Sequence, residues 1–181
     1  KIWDVCERAY NLRCPIVIAG EGGFGKTYAL TRYKEKVEAE RRFNVYYFDA
    51  STAKTRKQFV VGLMETLGCH KAGTMSRQVP IIREHLQKQD ALIIIDEVSA
   101  LEGRNVTILK DIMTAVKDVA GMVLAGTPYF VDNINKGASK DKHLYSETKD
   151  RLFMIPERLS APTETEAEAI FKANGITGEA L

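Results

Sequence analysis

Apolar residues along the chain occur in two patterns, as short continuous runs and as positions that recur every three or four residues. Continuous runs predict strands buried on both faces, as in a parallel sheet, whereas the recurring positions predict amphipathic helices. Strands are predicted over residues 15–20, 43–49, 91–97, 121–128 and 151–155. Helices are predicted over residues 2–12, 28–40, 76–89, 106–120, 129–135, 143–150 and 164–174, with a further helix ending at Gly68. The alternation predicts an α/β fold, a parallel sheet of five strands with helices on both faces.

The loop after the first predicted strand is rich in glycine and ends in a Lys-Thr pair. A strand, a glycine-rich loop, Lys-Thr and a helix form the arrangement of a P-loop, because glycines let backbone N–H groups approach phosphates closely. Lys26 is predicted to reach the β- and γ-phosphates, and the Thr27 hydroxyl to bind Mg²⁺. The alternative is a glycine-rich turn without a ligand. The residues predicted to bind ATP are Gly20, Glu21, Gly22, Gly23, Phe24, Gly25, Lys26, Thr27 and Tyr28.

Two acids, Asp96 and Glu97, follow the apolar run Leu92–Ile95. Ligands of open α/β sheets bind at the carboxyl ends of strands. Asp96 is therefore predicted to hold Mg²⁺ through its water shell, and Glu97 to orient and polarise the attacking water. The alternative is a buried strand that runs into a charged turn. The next predicted strand contains Thr127, whose hydroxyl would lie near the γ-phosphate if the two strands are neighbours.

A polar loop after the second predicted strand carries Lys54, Arg56 and Lys57. Clustered cations neutralise phosphates, so this loop is a candidate contact for DNA, and Arg104 after the acidic strand is predicted to join it. The alternative for the loop is the solvated start of a helix.

Arg151 stands at the start of the last predicted strand. Phosphoryl transfer gains from a second cation near the transferring group, and an arginine from a neighbouring subunit can supply it. The alternative is a surface salt bridge from Arg151 to Glu147 or Asp150.

Composition narrows the class of protein further. With 181 residues, 45% of them hydrophobic, and a net charge of +2, the chain suits one globular domain whose charge neither demands nor excludes nucleic acid. Apolar runs of about five residues are too short to span a membrane. The three cysteines show no paired spacing, which favours reduced thiols in a cytoplasmic protein. Because the sequence begins with Lys1, we expect a trimmed fragment of a longer chain.

Three of these segments together resemble the Walker A, Walker B and sensor-1 motifs of AAA+ ATPases. The segments are Gly20–Thr27, Leu92–Glu97 and Val123–Pro128. More specifically, the chain is similar to the transposition ATPases of the phage Mu B, TniB and TnsC group. That similarity extends to Cys6–Ala9, Asp49–Thr52, Leu67-Gly68, Pro162-Thr163 and Asn174–Ile176. It implies an AAA+ core over residues 1–160 and the start of a small helical lid, truncated, over residues 161–181.

Members of that group bind ATP with Mg²⁺, assemble into rings or helical filaments on duplex DNA without sequence preference, and hand target DNA to the transposase of a phage or mobile element. The resemblance implies that Lys26 and Thr27 form the Walker A pair. It likewise implies that Asp96 and Glu97 form Walker B. Thr127 takes the sensor-1 position, where many relatives have Asn, and Arg151 falls where the arginine finger is expected.

Two other functions stay open. One is an AAA+ ATPase of replication initiation, helicase loading or secretion, and the other is a nucleotide switch that hydrolyses ATP weakly.

Overall fold

The computed structural model describes residues 1–69, 73–101, 106–140, 143–152, 156–161, 163 and 165. Its α-helices are α1 (Ile2–Leu12), α2 (Lys26–Ala39), α3 (Arg56–Thr66), α4 (Met75–Leu86), α5 (Thr107–Val116), α6 (Pro128–Ser139) and α7 (His143–Leu152). Its strands are β1 (Pro15–Ala19), β2 (Asn44–Asp49), β3 (Ala91–Asp96), β4 (Gly121–Gly126) and β5 (Glu157–Arg158). Two 3₁₀ turns, Ala50–Thr52 and Val98–Ala100, directly follow β2 and the Asp-Glu pair.

All five strands are parallel and lie in the order β2-β3-β4-β1-β5. This arrangement confirms the predicted α/β fold, since crossover helices are needed to connect parallel neighbours. The strand that ends in Asp96 lies between β2 and β4, and β4 lies beside β1, which leads into the glycine-rich loop. The carboxyl ends of β1, β3 and β4 therefore meet at one edge of the sheet.

The core has two layers, one on each face of the sheet, because successive side chains of a strand point to opposite faces. Every residue of β3 and β4 is buried, as the continuous apolar runs predict. One layer joins the sheet to α1 and α2 through Val5, Cys6, Ala9, Ile18, Leu30, Tyr33, Val37, Leu92 and Ile94. The other layer includes Phe59, Leu63, Ile93, Ile95, Ile108, Leu109, Ile112 and Leu124.

The predicted strand over residues 151–155 is wrong at its start. Arg151 and Leu152 are the last residues of α7, and residues 153–155 lie outside the described part of the chain. The last strand among the described residues is Glu157–Arg158, which pairs with Ile18 and Ala19 as an outer strand of the sheet. A two-residue edge strand is held by backbone hydrogen bonds, so it needs no apolar run that a sequence pattern would reveal.

The helix predicted over residues 129–135 is longer in the structure, because α6 continues through Ser139. At Gly137 a Cβ would lie 2.2 Å from Cδ1 of Tyr145 in α7. Glycine lowers helix propensity, but here its small size lets α6 and α7 pack together. The helix therefore persists through a sequence that looks like a loop.

The three cysteines are free thiols, with Cys6 and Cys69 buried and Cys14 half-buried. Burial raises the pKa of the Cys6 thiol to about 12. Across the described ranges, no helix has both the length and the apolar character needed to cross a membrane. Of the predicted lid, residues 161–181, only residues 161, 163 and 165 belong to the described part.

Candidate nucleotide-binding site

The glycine-rich loop adopts a conformation that only glycine takes easily. Gly23 and Gly25 have φ angles of 81° and 72°, in the left-handed region. A Cβ at either position would meet no atom within 4 Å, so the backbone conformation, not packing, requires glycine there. Gly25 is the N-cap of α2, and no acidic side chain lies in the first turn of that helix. The positive end of α2 is thus available to an anion.

Lys26 lies beneath this loop and is 6% exposed. Its Nζ donates hydrogen bonds to the carbonyl oxygens of Gly20 (2.8 Å) and Glu21 (2.9 Å). Both acceptors are neutral, and within the described part of the chain Lys26 forms no ion pair. A buried cation without a counter-charge is costly, and a phosphate group would offset that cost.

Asp96 is fully buried at the carboxyl end of β3, and its two carboxylate oxygens accept three hydrogen bonds. Its Oδ2 accepts hydrogen bonds from Oγ1 of Thr27 (2.7 Å) and from the hydroxyl of Tyr47 (2.7 Å). Its Oδ1 accepts one from the backbone N–H of Glu97 (2.8 Å). Among the described residues Asp96 forms no ion pair, and these three hydrogen bonds connect the loop helix α2 with strands β2 and β3.

Sequence reasoning missed Tyr47, which appears in the pattern only as one aromatic residue of a strand. Burial, followed by the hydrogen bond to Asp96, raises the pKa of Tyr47, so its phenol stays protonated and donates at neutral pH. The signal that identifies it is the register: Asp49 pairs with Asp96, which places Tyr47 beside Ile94 on the same face of the sheet. That register was not available from a single sequence.

Glu97 has an unusual backbone. Its φ is 53° and its ψ is 36°, a left-handed conformation that is rare for a residue with a side chain and typical of functional sites. It is half-buried and caps the 3₁₀ turn Val98–Ala100. The chain therefore turns sharply at the second acid, directly after the buried carboxylate.

Thr127 directly follows β4, which lies next to β3, the strand that ends in Asp96. It contacts the 3₁₀ turn that begins after Glu97. The backbone N–H of Thr127 donates to Oγ of Ser99 (2.7 Å), and the two hydroxyl oxygens lie 3.0 Å apart. At Gly126 a Cβ would lie 2.6 Å from Oγ of Ser99, so glycine is needed for this contact. Sequence reasoning missed Ser99, whose only signal is a polar residue within an otherwise apolar turn.

The loop, the buried acid and the hydroxyl thus converge at one edge of a parallel sheet. The sequence profile of a family described as AAA domain matches residues 12–134, which include all of these residues. The chain belongs to the AAA domain family. Among curated proteins, none matches the sequence significantly.

Solved structures with a similar fold cover almost the whole of this AAA domain chain. Cdc6p from Pyrobaculum aerophilum has a TM-score of 0.66 and 14% identity, over 94% of this chain and 47% of that chain. The Aeropyrum pernix ORC2 protein has a TM-score of 0.63 and 16% identity, over 94% and 50%. A chain of Drosophila ORC bound to DNA has a TM-score of 0.63 and 19% identity, over 88% and 41%. The chain thus spans half or less of these proteins, and the similarity shows the fold alone.

The cations predicted to contact DNA lie in different surroundings in the AAA domain. Lys54 and Lys57 are exposed, after the 3₁₀ turn that follows β2. Nη2 of Arg56 lies 2.9 Å from Oδ2 of Asp111 in α5, with both side chains about 40% exposed (41% and 42%). Because an ion pair this exposed contributes only about 0–1 kcal/mol, Asp111 holds Arg56 weakly. Arg104 lies outside the described residues.

Arg151 is in the last turn of α7, and its side chain lies outside the described part of the structure. One of its predicted alternative partners, Glu147, forms an ion pair with Lys110 of α5. The structure therefore brings together the predicted residues of the loop, β3 and β4 at the carboxyl ends of the strands.

We predict that Ser99→Ala lowers the free energy of unfolding by about 1–2 kcal/mol, because the N–H of Thr127 loses its acceptor in a partly buried place. Urea denaturation measures this. Ser139→Ala is the matched control, since its hydroxyl contacts only the carbonyl of Lys136 at an exposed helix end, and a change within about 0.5 kcal/mol is expected. Equal effects of the two substitutions would contradict the role assigned to Ser99.

Proposed function

We propose that this AAA domain binds ATP together with Mg²⁺ and hydrolyses ATP to ADP and phosphate. The observation that carries the proposal is the hydrogen bond between Thr27 and Asp96, which joins the phosphate-binding helix to the acid of β3. A hydroxyl and a carboxylate are oxygen ligands of the kind that Mg²⁺ prefers. The uncompensated charge of Lys26 and the glycine conformations of the loop fit a polyphosphate in the same way.

The chain's residues divide the chemistry between them. Lys26 and the N–H groups of the loop bind the phosphates, and Thr27 and Asp96 are the residues that would hold Mg²⁺. When bound, the metal would neutralise charge on the phosphate oxygens. Glu97 orients the attacking water and accepts its proton, and Thr127 contacts the γ-phosphate as the sensor residue.

A second cation on the transferring group is assigned to Arg151 from a neighbouring subunit. The position of Arg151 in the sequence relative to the other motifs supports this assignment, as does the need for positive charge beyond Lys26. An arginine supplied in this way is worth ~10³–10⁵ in rate, so hydrolysis would depend on assembly into a homo-oligomer.

We further propose that the bound nucleotide controls binding to duplex DNA. Lys54 and Lys57 are exposed and lie just beyond the 3₁₀ turn Ala50–Thr52. That turn contacts the second turn, Val98–Ala100, which begins directly after Glu97. A change at Glu97 therefore has a short physical route to the cations. Support also comes from the Drosophila ORC chain, a protein of similar fold that is bound to DNA in its structure.

The process that we propose is delivery of target DNA to a transposase by a ring or filament assembled on that DNA. Its support is the sequence resemblance, which covers nearly the whole chain. The second candidate is replication initiation, which the structural likeness to Cdc6p and ORC favours. Electron micrographs with ATP and random-sequence duplex DNA separate the two: continuous filaments along the DNA favour the first, and isolated particles at single positions favour the second.

We predict that Glu97→Gln lowers the rate of phosphate release by about 10²–10⁴-fold, because the amide cannot accept the proton of the attacking water. ATP binding should remain, since Lys26 and Thr27 are unchanged. The exposed Glu84 of α4 gives the matched control, and Glu84→Gln should hydrolyse ATP like the wild type. An unchanged rate in Glu97→Gln would refute the catalytic assignment.

We predict that the double substitution Lys54→Ala/Lys57→Ala weakens ATP-dependent binding to duplex DNA. The slope of log affinity against log salt concentration should become shallower by about 1–2, because up to two phosphate contacts are lost. Fluorescence anisotropy with and without ATP measures both quantities. The matched control is Lys88→Ala/Lys117→Ala, which removes the same charge from exposed positions just before β3 and β4. These positions lie at the amino ends of the strands, opposite the candidate site. DNA affinity that neither ATP nor the first pair of substitutions changes would exclude this mode of DNA binding.

A further inference from the structure

The hydroxyl of Tyr47 has no role in the mechanism above, yet it contacts the residue on which the metal site depends. It lies 2.7 Å from Oδ2 of Asp96, the same oxygen that accepts the hydroxyl of Thr27 at 2.7 Å. The phenol approaches from β2, a neighbouring strand, whereas Thr27 approaches from α2. The two donors therefore hold one carboxylate oxygen from two separate elements.

The orientation of the Asp96 carboxylate depends on these contacts. Its other oxygen, Oδ1, is held by the N–H of Glu97 at 2.8 Å. With only Thr27 and Glu97, each oxygen would have one donor, and the donor on Oδ2 is a hydroxyl that would also have to face a metal ion. The hydroxyl of Tyr47 gives Oδ2 a second donor, which comes from β2 and not from the phosphate-binding helix.

The neighbouring residue, Tyr46, makes a comparable hydrogen bond to a different acceptor. Tyr46 points to the other face of β2, and its hydroxyl donates to Oε1 of Gln89 at 2.8 Å. Both tyrosines are half-buried and both hydroxyls make a side-chain hydrogen bond of similar length. They differ in the acceptor, which is a neutral amide for Tyr46 and the candidate metal-site carboxylate for Tyr47.

We propose that Tyr47 is a positioning residue of the metal site: its hydroxyl fixes the Asp96 carboxylate in the orientation that Mg²⁺ binding requires. The inference rests on the proposed binding of Mg²⁺ and ATP. Groups that hydrogen-bond a metal-binding side chain orient it, and their loss typically weakens metal binding by about 10–100-fold. A purely structural role would instead lower stability and leave the requirement for Mg²⁺ unchanged.

The experiment measures binding of a fluorescent ATP analogue by the whole chain as Mg²⁺ is titrated, and again in excess EDTA. For Tyr47→Phe we expect the Mg²⁺ concentration at half-maximal binding to rise by about tenfold, with the affinity in EDTA unchanged. Tyr46→Phe, which removes the matched hydroxyl from the same strand, should keep the wild-type Mg²⁺ requirement. Thermal melting without nucleotide shows whether both variants fold and whether they lose similar stability.

Two further variants test whether the hydroxyl acts as a donor and acts through Asp96. Replacement of Tyr47 by p-aminophenylalanine keeps the ring and a donor at its end, and it should restore a Mg²⁺ requirement close to that of the wild type. In an Asp96→Asn background, Tyr47→Phe should cause no additional shift, because the two changes affect one contact and are not additive.

The proposal is overturned if Tyr47→Phe keeps the wild-type Mg²⁺ requirement, if Tyr46→Phe shifts it equally, or if the effect of Tyr47→Phe persists in full with Asp96→Asn. If the wild type binds no nucleotide at any Mg²⁺ concentration, the proposed function itself fails. Mg²⁺-dependent binding that Tyr47→Phe leaves unaltered overturns the role of Tyr47 alone.

Discussion

A buried carboxylate that is satisfied entirely by hydrogen bonds holds the site together. Asp96 has no exposed surface, and burying a charge is costly unless donors surround it. Thr27, Tyr47 and the N–H of Glu97 supply those donors. Hydrogen bonds to a charged group contribute about 1.5–3 kcal/mol each, well above the exposed ion pairs on the helices. The glycine-rich loop, the central strand and its neighbour are therefore fixed to each other at the point where the proposed chemistry takes place.

The 3₁₀ turn after β3 extends this arrangement to the other side of the site. It begins at Glu97, whose left-handed backbone follows Asp96, and it carries Ser99, which accepts the N–H of Thr127. Ser99 therefore links the acid that we assign to water activation, two residues before it in the chain, to Thr127, whose hydroxyl we assign to phosphate sensing. Because the turn also contacts Ala50–Thr52, the site packs against the segment that leads to the exposed lysines beyond β2.

Much of the fold was predictable from the sequence, and the reasons are physical. Continuous apolar runs such as 91–95 occur where both faces of a strand are covered, and the glycines of the loop are needed for its backbone angles. The edge strand Glu157–Arg158 was not predictable, because it pairs through its backbone and shows no apolar pattern. The place of Gly137 within a helix was likewise hidden, since the close approach of Tyr145 that favours a glycine there is not visible in the sequence.

In the candidate site, the residues of the sequence motifs were predictable, and the residues that hold them were not. Tyr47 and Ser99 contact Asp96 and Thr127 across neighbouring strands and turns, so their roles depend on register and approach distance. The measurement that tests the account most directly is a crystal structure with a non-hydrolysable ATP analogue and Mg²⁺. We predict that Nζ of Lys26 leaves the carbonyls of Gly20 and Glu21 for the phosphates, while Asp96 keeps its bonds to Thr27 and Tyr47. A loop without bound nucleotide at saturating concentration, or an Asp96 that turns away from the metal, would contradict it.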